Sequence, residues 1–229
     1  MTGGTRGIGR AIAQKLLEAG ASVAICSRRA DEVARAVEEL AALHSPQRVA
    51  GKACDVGRYE EAAALFRFMD ESFRRLNILV NNAGVGLFQP VDEIGPDQWR
   101  QVIDTNLSGA FYCTREAVPR MRRQGGGYIL NIGSLAGKNA MAGGSAYNAS
   151  KFGLLGLSEA SMLDLRYDNI RVSCLLPGSV ATEFGGASGS PDWKIRPEDI
   201  ADTVLHLLSL PASTLASRVE IRPTRPPRR

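Results

Sequence analysis

Short runs rich in β-branched and apolar residues alternate along this chain with longer stretches in which apolar residues recur at helical spacing. The runs SVAICS (22–27), RVAGKAC (48–54), NILVNN (77–82), GYILNIGS (127–134), IRVSCLL (170–176) and SRVEIRP (217–223) predict strands. The stretches 9–20, 31–43, 59–76, 96–123, 145–166 and 197–210 predict helices, with Pro197 standing where a first turn begins. Strand and helix in regular alternation predict an α/β fold, because right-handed crossovers leave helices on both faces of a parallel sheet. The expected architecture is a doubly wound parallel sheet in three layers. It forms a single domain over residues 1–221, followed by a basic, Pro-rich tail at 222–229.

The first twelve residues, MTGGTRGIGRAI, place a glycine-dense loop ahead of a helix with no hydrophobic strand before it. In a doubly wound sheet the first strand belongs near the middle, where strand order reverses and ligands bind. The expectation is that this strand is missing from the sequence as written and that an upstream segment ending in an apolar strand supplies it. Without it, buried backbone groups on its neighbours would go unpaired at about 1–3 kcal/mol each.

Composition narrows the class. Hydrophobic residues make up 44% and charged residues 23% of the 229, the balance of an ordinary globular protein. No apolar run approaches the roughly 20 residues of a membrane span, so no membrane partner is expected. The net charge of +4 is local: four of the 28 basic residues fall in RPTRPPRR (222–229), and the remaining 24 balance the 24 acidic ones. A solvated tail explains this excess better than a nucleic-acid surface, and no nucleic-acid partner is expected. Cys26, Cys54, Cys113 and Cys174 are dispersed, without a C-x-x-C pair, and read as small core residues of a cytoplasmic protein. No cluster of ligands suggests a metal. The stretch EFGGASGSPDW (183–193) reads as a mobile loop.

The glycine loop is the first chemical signal. Gly3, Gly7 and Gly9 vary the spaced-glycine fingerprint of dinucleotide sites, where missing side chains let a pyrophosphate reach amides at a helix N-terminus. The P-loop is excluded, since Arg10 and Ala11 stand where Lys and Ser/Thr are needed. About 20 residues on, an acid would bind the ribose of NAD; here Ser27 is followed by Arg28 and Arg29, and Arg6 lies in the loop. Cations from two sides favour NADP(H).

The second signal is YNASK, which puts Tyr147 and Lys151 on one face of a helix. An ammonium beside a phenol favours the phenolate, so Lys151 is expected to lower the Tyr147 pKa and fit it for proton transfer near neutral pH. Ser134 ends a predicted strand 13 residues earlier, where its hydroxyl can bind a carbonyl oxygen.

Together these motifs resemble the short-chain dehydrogenase/reductase family, of the NADP-preferring type, over nearly the whole chain. TGGTRGIG is similar to its cofactor loop, CDV (54–56) to its adenine contact, NNAG (81–84) to its motif after the fourth strand, NIGS (131–134) to its serine strand, and PGSVAT (177–182) to its nicotinamide loop. The resemblance implies a Rossmann fold and a tetrad of Asn106, Ser134, Tyr147 and Lys151, in which Asn106 bends its helix and holds a water leading to Lys151. It further implies that Thr5, Ile8 and Gly84 belong to the cofactor loops, that Asp55 and Val56 contact adenine, and that Asn81 and Ala83 contact the adenosine side. Tyr147 and Lys151 would face the nicotinamide ribose, with Pro177, Gly178, Val180 and Thr182 at the carboxamide end. A homodimer or homotetramer through the helices carrying Asn106 and Tyr147 is implied in the same way.

The expected activity is NADP(H)-dependent interconversion of a small-molecule ketone or aldehyde and its alcohol. The alternative is a 3-oxoacyl-[acyl-carrier-protein] reductase, although the end SRVEIRPTRPP departs from the glycine-rich Asp-Gly-Gly ending of those enzymes. A catalytically silent NADP-binding regulatory protein is the third reading. A Ser-His-Asp hydrolase has no support, because His44 and His206 lie far from the serine motif and no G-x-S-x-G is present. Leu87, Phe88, Leu135, Met141, Phe184 and Trp193 are candidates for an apolar substrate pocket, and equally for core or subunit contacts.

Overall fold

The structure, a computed structural model, describes residues 1–186 and 192–227. Residues 187–191 of the Gly/Ser-rich loop at 183–193, together with Arg228 and Arg229 of the tail, therefore lie outside the described residues.

Helix α1 (Gly7–Glu18) comes first, then β1 (Val23–Ser27), α2 (Ala30–Leu43), β2 (Val49–Ala53), α3 (Tyr59–Phe73) and β3 (Ile78–Asn81). The second half continues with α4 (Pro96–Ile103), α5 (Gly109–Arg123), β4 (Gly127–Ile132), α6 (Ser145–Leu165), β5 (Ile170–Pro177), α7 (Pro197–Ser209) and β6 (Arg218–Ile221). All strand pairs are parallel: β1 lies beside β2, and β3, β4, β5 and β6 follow one another. The doubly wound α/β fold is thus as the alternating pattern predicts.

Both faces of the sheet are covered, so successive strand residues are buried on opposite sides. Ile25, Val80 and Leu130 join Ile12, Leu17, Leu40 and Val204 in one core beneath α1, α2 and α7. Their neighbours Cys26, Leu79 and Ile129 join Phe66, Cys113, Met121 and Leu165 in the other, beneath α3, α5 and α6. This is why the strands read as continuous apolar runs rather than alternating ones.

At the centre of the sheet, between β1 and β3, stand Met1 and Thr2. Thr2 N–H donates to Val80 O at 3.0 Å, and Cys26 N–H donates to Met1 O at 3.2 Å. The terminal amine donates to Ala24 O at 2.9 Å, and burial holds its pKa below the ordinary value. The place of the expected central strand is held by these two residues, beside a cavity of about 30 Å³ lined by Met1, Thr2, Ala24, Phe66 and Leu79.

The helix predicted over 96–123 is interrupted. Residues Asp104–Ser108 form a π-turn between α4 and α5, and Asn106 lies within it. A π-turn inserts one residue into the ladder and frequently marks a functional position. Sheet, helices and loops together open a cleft of about 1750 Å³ along the carboxyl edge of the strands.

Candidate active site

One end of the cleft is built by the start of α1. Gly3 and Gly7 have φ of +62° and +55°, and a Cβ on Gly9 would sit 2.1 Å from Gly3 O. The loop therefore needs glycine at these places to fold back on itself. The N-cap, Arg6, makes no side-chain cap bond, and the first turn carries no acid. Gly7, Ile8 and Gly9, the first residues of α1, line the cleft, so the uncapped positive end of the helix borders it, which suits a pyrophosphate. Gly3, Thr5 and Arg6 line this end, as do Ser27, Arg28 and Arg29 at the tip of β1, and Asp55 and Val56 after β2. These are the residues expected at a dinucleotide, and the donor set fits one.

Two of the expected contacts are corrected. Asn81 does not line the cleft: it is buried, and its Nδ2 donates to Asn131 Oδ1 at 2.8 Å on the neighbouring strand. The pleat turns the next residue the other way. Asn82 lines the cleft and donates to Thr2 O at 3.0 Å and Gly3 O at 2.9 Å, holding the glycine loop against the end of β3. Ala83 and Gly84 follow it in the wall. Leu87 is likewise not among the lining residues, whereas Phe88, Leu135, Met141, Phe184 and Trp193 are.

A charged residue not foreseen stands among the arginines. Glu32, in the first turn of α2, lines the cleft, lies 3.1 Å from the Arg29 guanidinium and accepts a 3.5 Å bond from Ser27 Oγ. Asp31 adds a 3.4 Å contact to the same guanidinium. Asp55 caps its own turn, accepting from Gly57 N–H at 3.0 Å.

The other end of the cleft brings together Ser134, Tyr147 and Lys151. Ser134 follows β4 and accepts a bond from Ala136 N–H at 3.1 Å, which starts the short turn Leu135–Gly137. Tyr147 projects from the first turn of α6, 8% exposed, with the ring of Phe88 edge-on at 5.3 Å and that of Phe184 at 5.7 Å. Lys151, one turn on, is buried; its Nζ donates to Ile132 O at 2.8 Å and lies 5.8 Å from the Tyr147 ring centroid.

The electrostatics differ from expectation. Burial raises the Tyr147 pKa, and the group that opposes the rise is the Ser134 hydroxyl, not Lys151. Burial also lowers the Lys151 ammonium, to about 8. Desolvation outweighs the pairing inferred from spacing because both groups are buried, and the ammonium, hydrogen-bonded to a carbonyl oxygen, keeps its proton at neutral pH by a narrower margin than an exposed lysine.

Asn106 stands behind this group rather than in the cleft wall. Its Oδ1 accepts from Val85 N–H at 2.7 Å, while its Nδ2 donates to Val85 O at 2.9 Å and Ser150 Oγ at 3.0 Å. Ser150 in turn donates to Tyr147 O at 2.8 Å. The side chain freed by the π-turn thus ties the wall after β3 to α6, and it reaches Tyr147 through Ser150 rather than Lys151. Asn148, also unforeseen, accepts from Met141 N–H at 3.1 Å and donates to Ala136 O and Asn139 O at 2.6 and 3.0 Å. It fastens the loop after Ser134 to α6. Its signal was present in YNASK but indistinguishable from that of an exposed amide.

The carboxyl edge of Pro177, Gly178, Val180 and Thr182 completes the wall. The described tail is solvent-exposed apart from the half-buried Pro223, as its composition suggests, but its course takes it along the cleft: Arg222, Pro223, Pro226 and Pro227 stand in the wall. All four cysteines are free and buried. Among the described residues, no helix is long and apolar enough to cross a membrane, and no cluster of His, Cys, Asp and Glu could hold a metal ion.

Doubly wound sheet, uncapped glycine loop and Ser-Tyr-Lys group define a dinucleotide-binding oxidoreductase class. The family profile described as short chain dehydrogenase matches residues 1–192. The chain is 33% identical to a 3alpha-hydroxysteroid dehydrogenase of Mediterraneibacter gnavus, over 96% of this chain and 92% of that one. It is 32% identical to sulfoacetaldehyde reductase 2 of Chromohalobacter salexigens, over 98% and 93% respectively. Among solved structures, a metagenomic short-chain oxidoreductase in complex with NADP has a TM-score of 0.85 and 37% identity, with coverage of 98% and 96%. An alcohol dehydrogenase of Thermococcus sibiricus complexed with 5-hydroxy-NADP has a TM-score of 0.91 and 27% identity, covering 100% and 97%. The chain belongs to the short-chain dehydrogenase family, and with it to the oxidoreductases that act on CH–OH groups.

Proposed function

We propose that this protein binds NADP(H) and interconverts a small-molecule ketone or aldehyde with the corresponding secondary or primary alcohol. The observation that carries the proposal is the placing of Ser134, Tyr147 and Lys151 at one end of a cleft whose other end is the uncapped start of α1 flanked by Arg6, Arg28 and Arg29. When bound, the nicotinamide dinucleotide supplies hydride exchange with the carbonyl carbon.

The chain's own residues handle the oxygen. Ser134 donates a hydrogen bond to it, and Tyr147 gives it a proton during reduction and takes one back during oxidation. A pKa raised by burial keeps the phenol protonated at neutral pH, the state that reduction requires. Lys151 holds a positive charge within one helical turn of the phenolate that forms. Asn106 acts as a positioning residue through Ser150. The rings of Phe88 and Phe184 flank the Tyr147 phenol and supply its apolar neighbours.

A cytoplasmic location, supported by the four free thiols, belongs to the same proposal. So does a homodimer or homotetramer through α5 and α6, on which Phe111 and Phe152 are 45% and 46% exposed. The test is NADPH oxidation against ketones, aldehydes and 3-oxoacyl thioesters, for the wild type and Tyr147→Phe. Turnover that disappears in the variant while NADPH binding persists is the expected result. Unchanged turnover in the variant, or tight NADPH binding with no turnover of any carbonyl, overturns the reading.

A further inference from the structure

The segment after β6 is pressed against the substrate end of the cleft. Gly178 N–H donates to Ile221 O at 2.8 Å, and a Cβ on Gly178 would stand 2.9 Å from Pro223 Cδ and 3.1 Å from Leu135 Cδ1. Pro223 therefore sits beside the turn that follows Ser134, and its neighbour Arg222 lines the same wall. Pro223 packs against the site, and Arg222, its side chain 57% exposed, stands at the cleft wall with guanidinium donors open to a ligand.

The charge at this wall is positive. Arg222 Nη2 lies 2.9 Å from Glu220 Oε2, and the other oxygen of that carboxylate is bonded by Lys138. Two cations thus share one anion, leaving a surplus of one positive charge. Lys194 adds another cation to the lining. Among the described residues, the acid lining this end is Glu183, which lies 3.7 Å from Arg6. Phe88, Phe184 and Leu135 add apolar surface to the same cleft.

We infer that the substrate carries an organic oxyanion, a carboxylate or a group of like chemistry, and that Arg222 binds it from the C-terminal segment. This deepens the oxidoreductase reading and rests on it. A guanidinium offers an oxyanion two parallel N–H donors, and the half-neutralised Lys138–Glu220–Arg222 group leaves donors of Arg222 to give. The apolar walls supply affinity that does not discriminate charge, so the acid function sets the preference.

Binding of phenylbutyrate and its neutral isostere phenylbutyramide to the NADP⁺-loaded protein, measured by titration calorimetry, tests the inference. The acid is expected to bind about tenfold tighter, the size of a partly exposed charge-assisted bond. In Arg222→Gln that preference disappears, and in Arg222→Lys it is reduced but retained. Equal or tighter binding of the amide, a preference that survives Arg222→Gln, or failure of both compounds to bind overturns the inference. Reduction of benzoylpropionate and benzoylpropionamide, run in parallel, separates the two claims. Acid-selective binding by a protein that binds NADPH yet turns over neither these probes nor any ketone, aldehyde or 3-oxoacyl thioester sinks the oxidoreductase reading alone; turnover without acid selectivity sinks this one alone.

Discussion

Lys151 Nζ donates to the carbonyl oxygen of Ile132 at 2.8 Å from a fully buried position, and the same burial lowers its pKa from the ordinary 10.5 to about 8. The shift is a cost to the fold. Between pH 8 and pH 10.5 the unfolded chain holds a proton at this residue that the folded chain has lost, so stability rises with pH across that window. Below it the full penalty applies, roughly 3 kcal/mol at 1.36 kcal/mol per pKa unit. Urea denaturation of the protein without cofactor should show this rise. In Lys151→Met, which keeps the volume and removes the charge, the rise should vanish and stability at neutral pH should increase, while turnover is lost.

The same ammonium sets a limb of the pH–rate profile. Tyr147, raised by burial, stays protonated through the neutral range, so the group that titrates first is Lys151. Carbonyl reduction should be level at lower pH and fall as pH rises through about 8, where Lys151 loses its charge. A steady-state profile of kcat with NADPH measures this. A fall centred near the ordinary phenol value would assign the limb to Tyr147 instead.

Asn148 makes its hydrogen bonds to the backbone of the loop that follows Ser134. Its three bonds to Ala136, Asn139 and Met141 are the tether between α6 and the loop that follows Ser134. Asn148→Ala leaves those backbone groups unpaired in a half-buried setting and should cost about 2–3 kcal/mol in urea denaturation. Loosening that wall should also raise KM for the carbonyl more than for NADPH.

The parts legible in the sequence are those fixed by local periodicity or by a conformation that one residue type alone can adopt. The run from Ile78 to Asn81 and the helix carrying Tyr147 and Lys151 are of the first kind. Gly3 and Gly7, at φ of +62° and +55°, are of the second. What failed to show depends on where elements end. In NNAG the two asparagines are equivalent as letters; the pleat of β3 sends Asn81 into the sheet and Asn82 into the cleft. Leu87 and Phe88 are separated in the same way by the path of one loop. Arg222 and its prolines have the composition of a solvated tail, and only the contact of Pro223 with Gly178 and their place in the cleft wall show that the chain runs along the site. The influence of Lys151 on Tyr147, inferred from one-turn spacing, was overruled by burial, which no spacing records.

Glu32 supplies the last prediction. An NADP-preferring site needs a cation for the 2′-phosphate, and Arg29 is placed to provide it at the tip of β1. In the protein, however, Arg29 is held by Glu32 at 3.1 Å and Asp31 at 3.4 Å, with Glu32 the less exposed of the two and in the cleft wall. A 2′-phosphate must therefore displace one carboxylate from the guanidinium or share it. Removing that competitor by Glu32→Gln keeps the shape and ends the ion pair. NADPH should bind about threefold tighter, the scale of a partly exposed pair, while NADH, which has no phosphate to place there, binds as before. Fluorescence titration with both nucleotides decides it. Equal tightening of the two would mean that Glu32 acts on a part of the dinucleotide they share. Weaker NADPH binding would mean that the carboxylate orients Arg29 for the phosphate rather than competing for it.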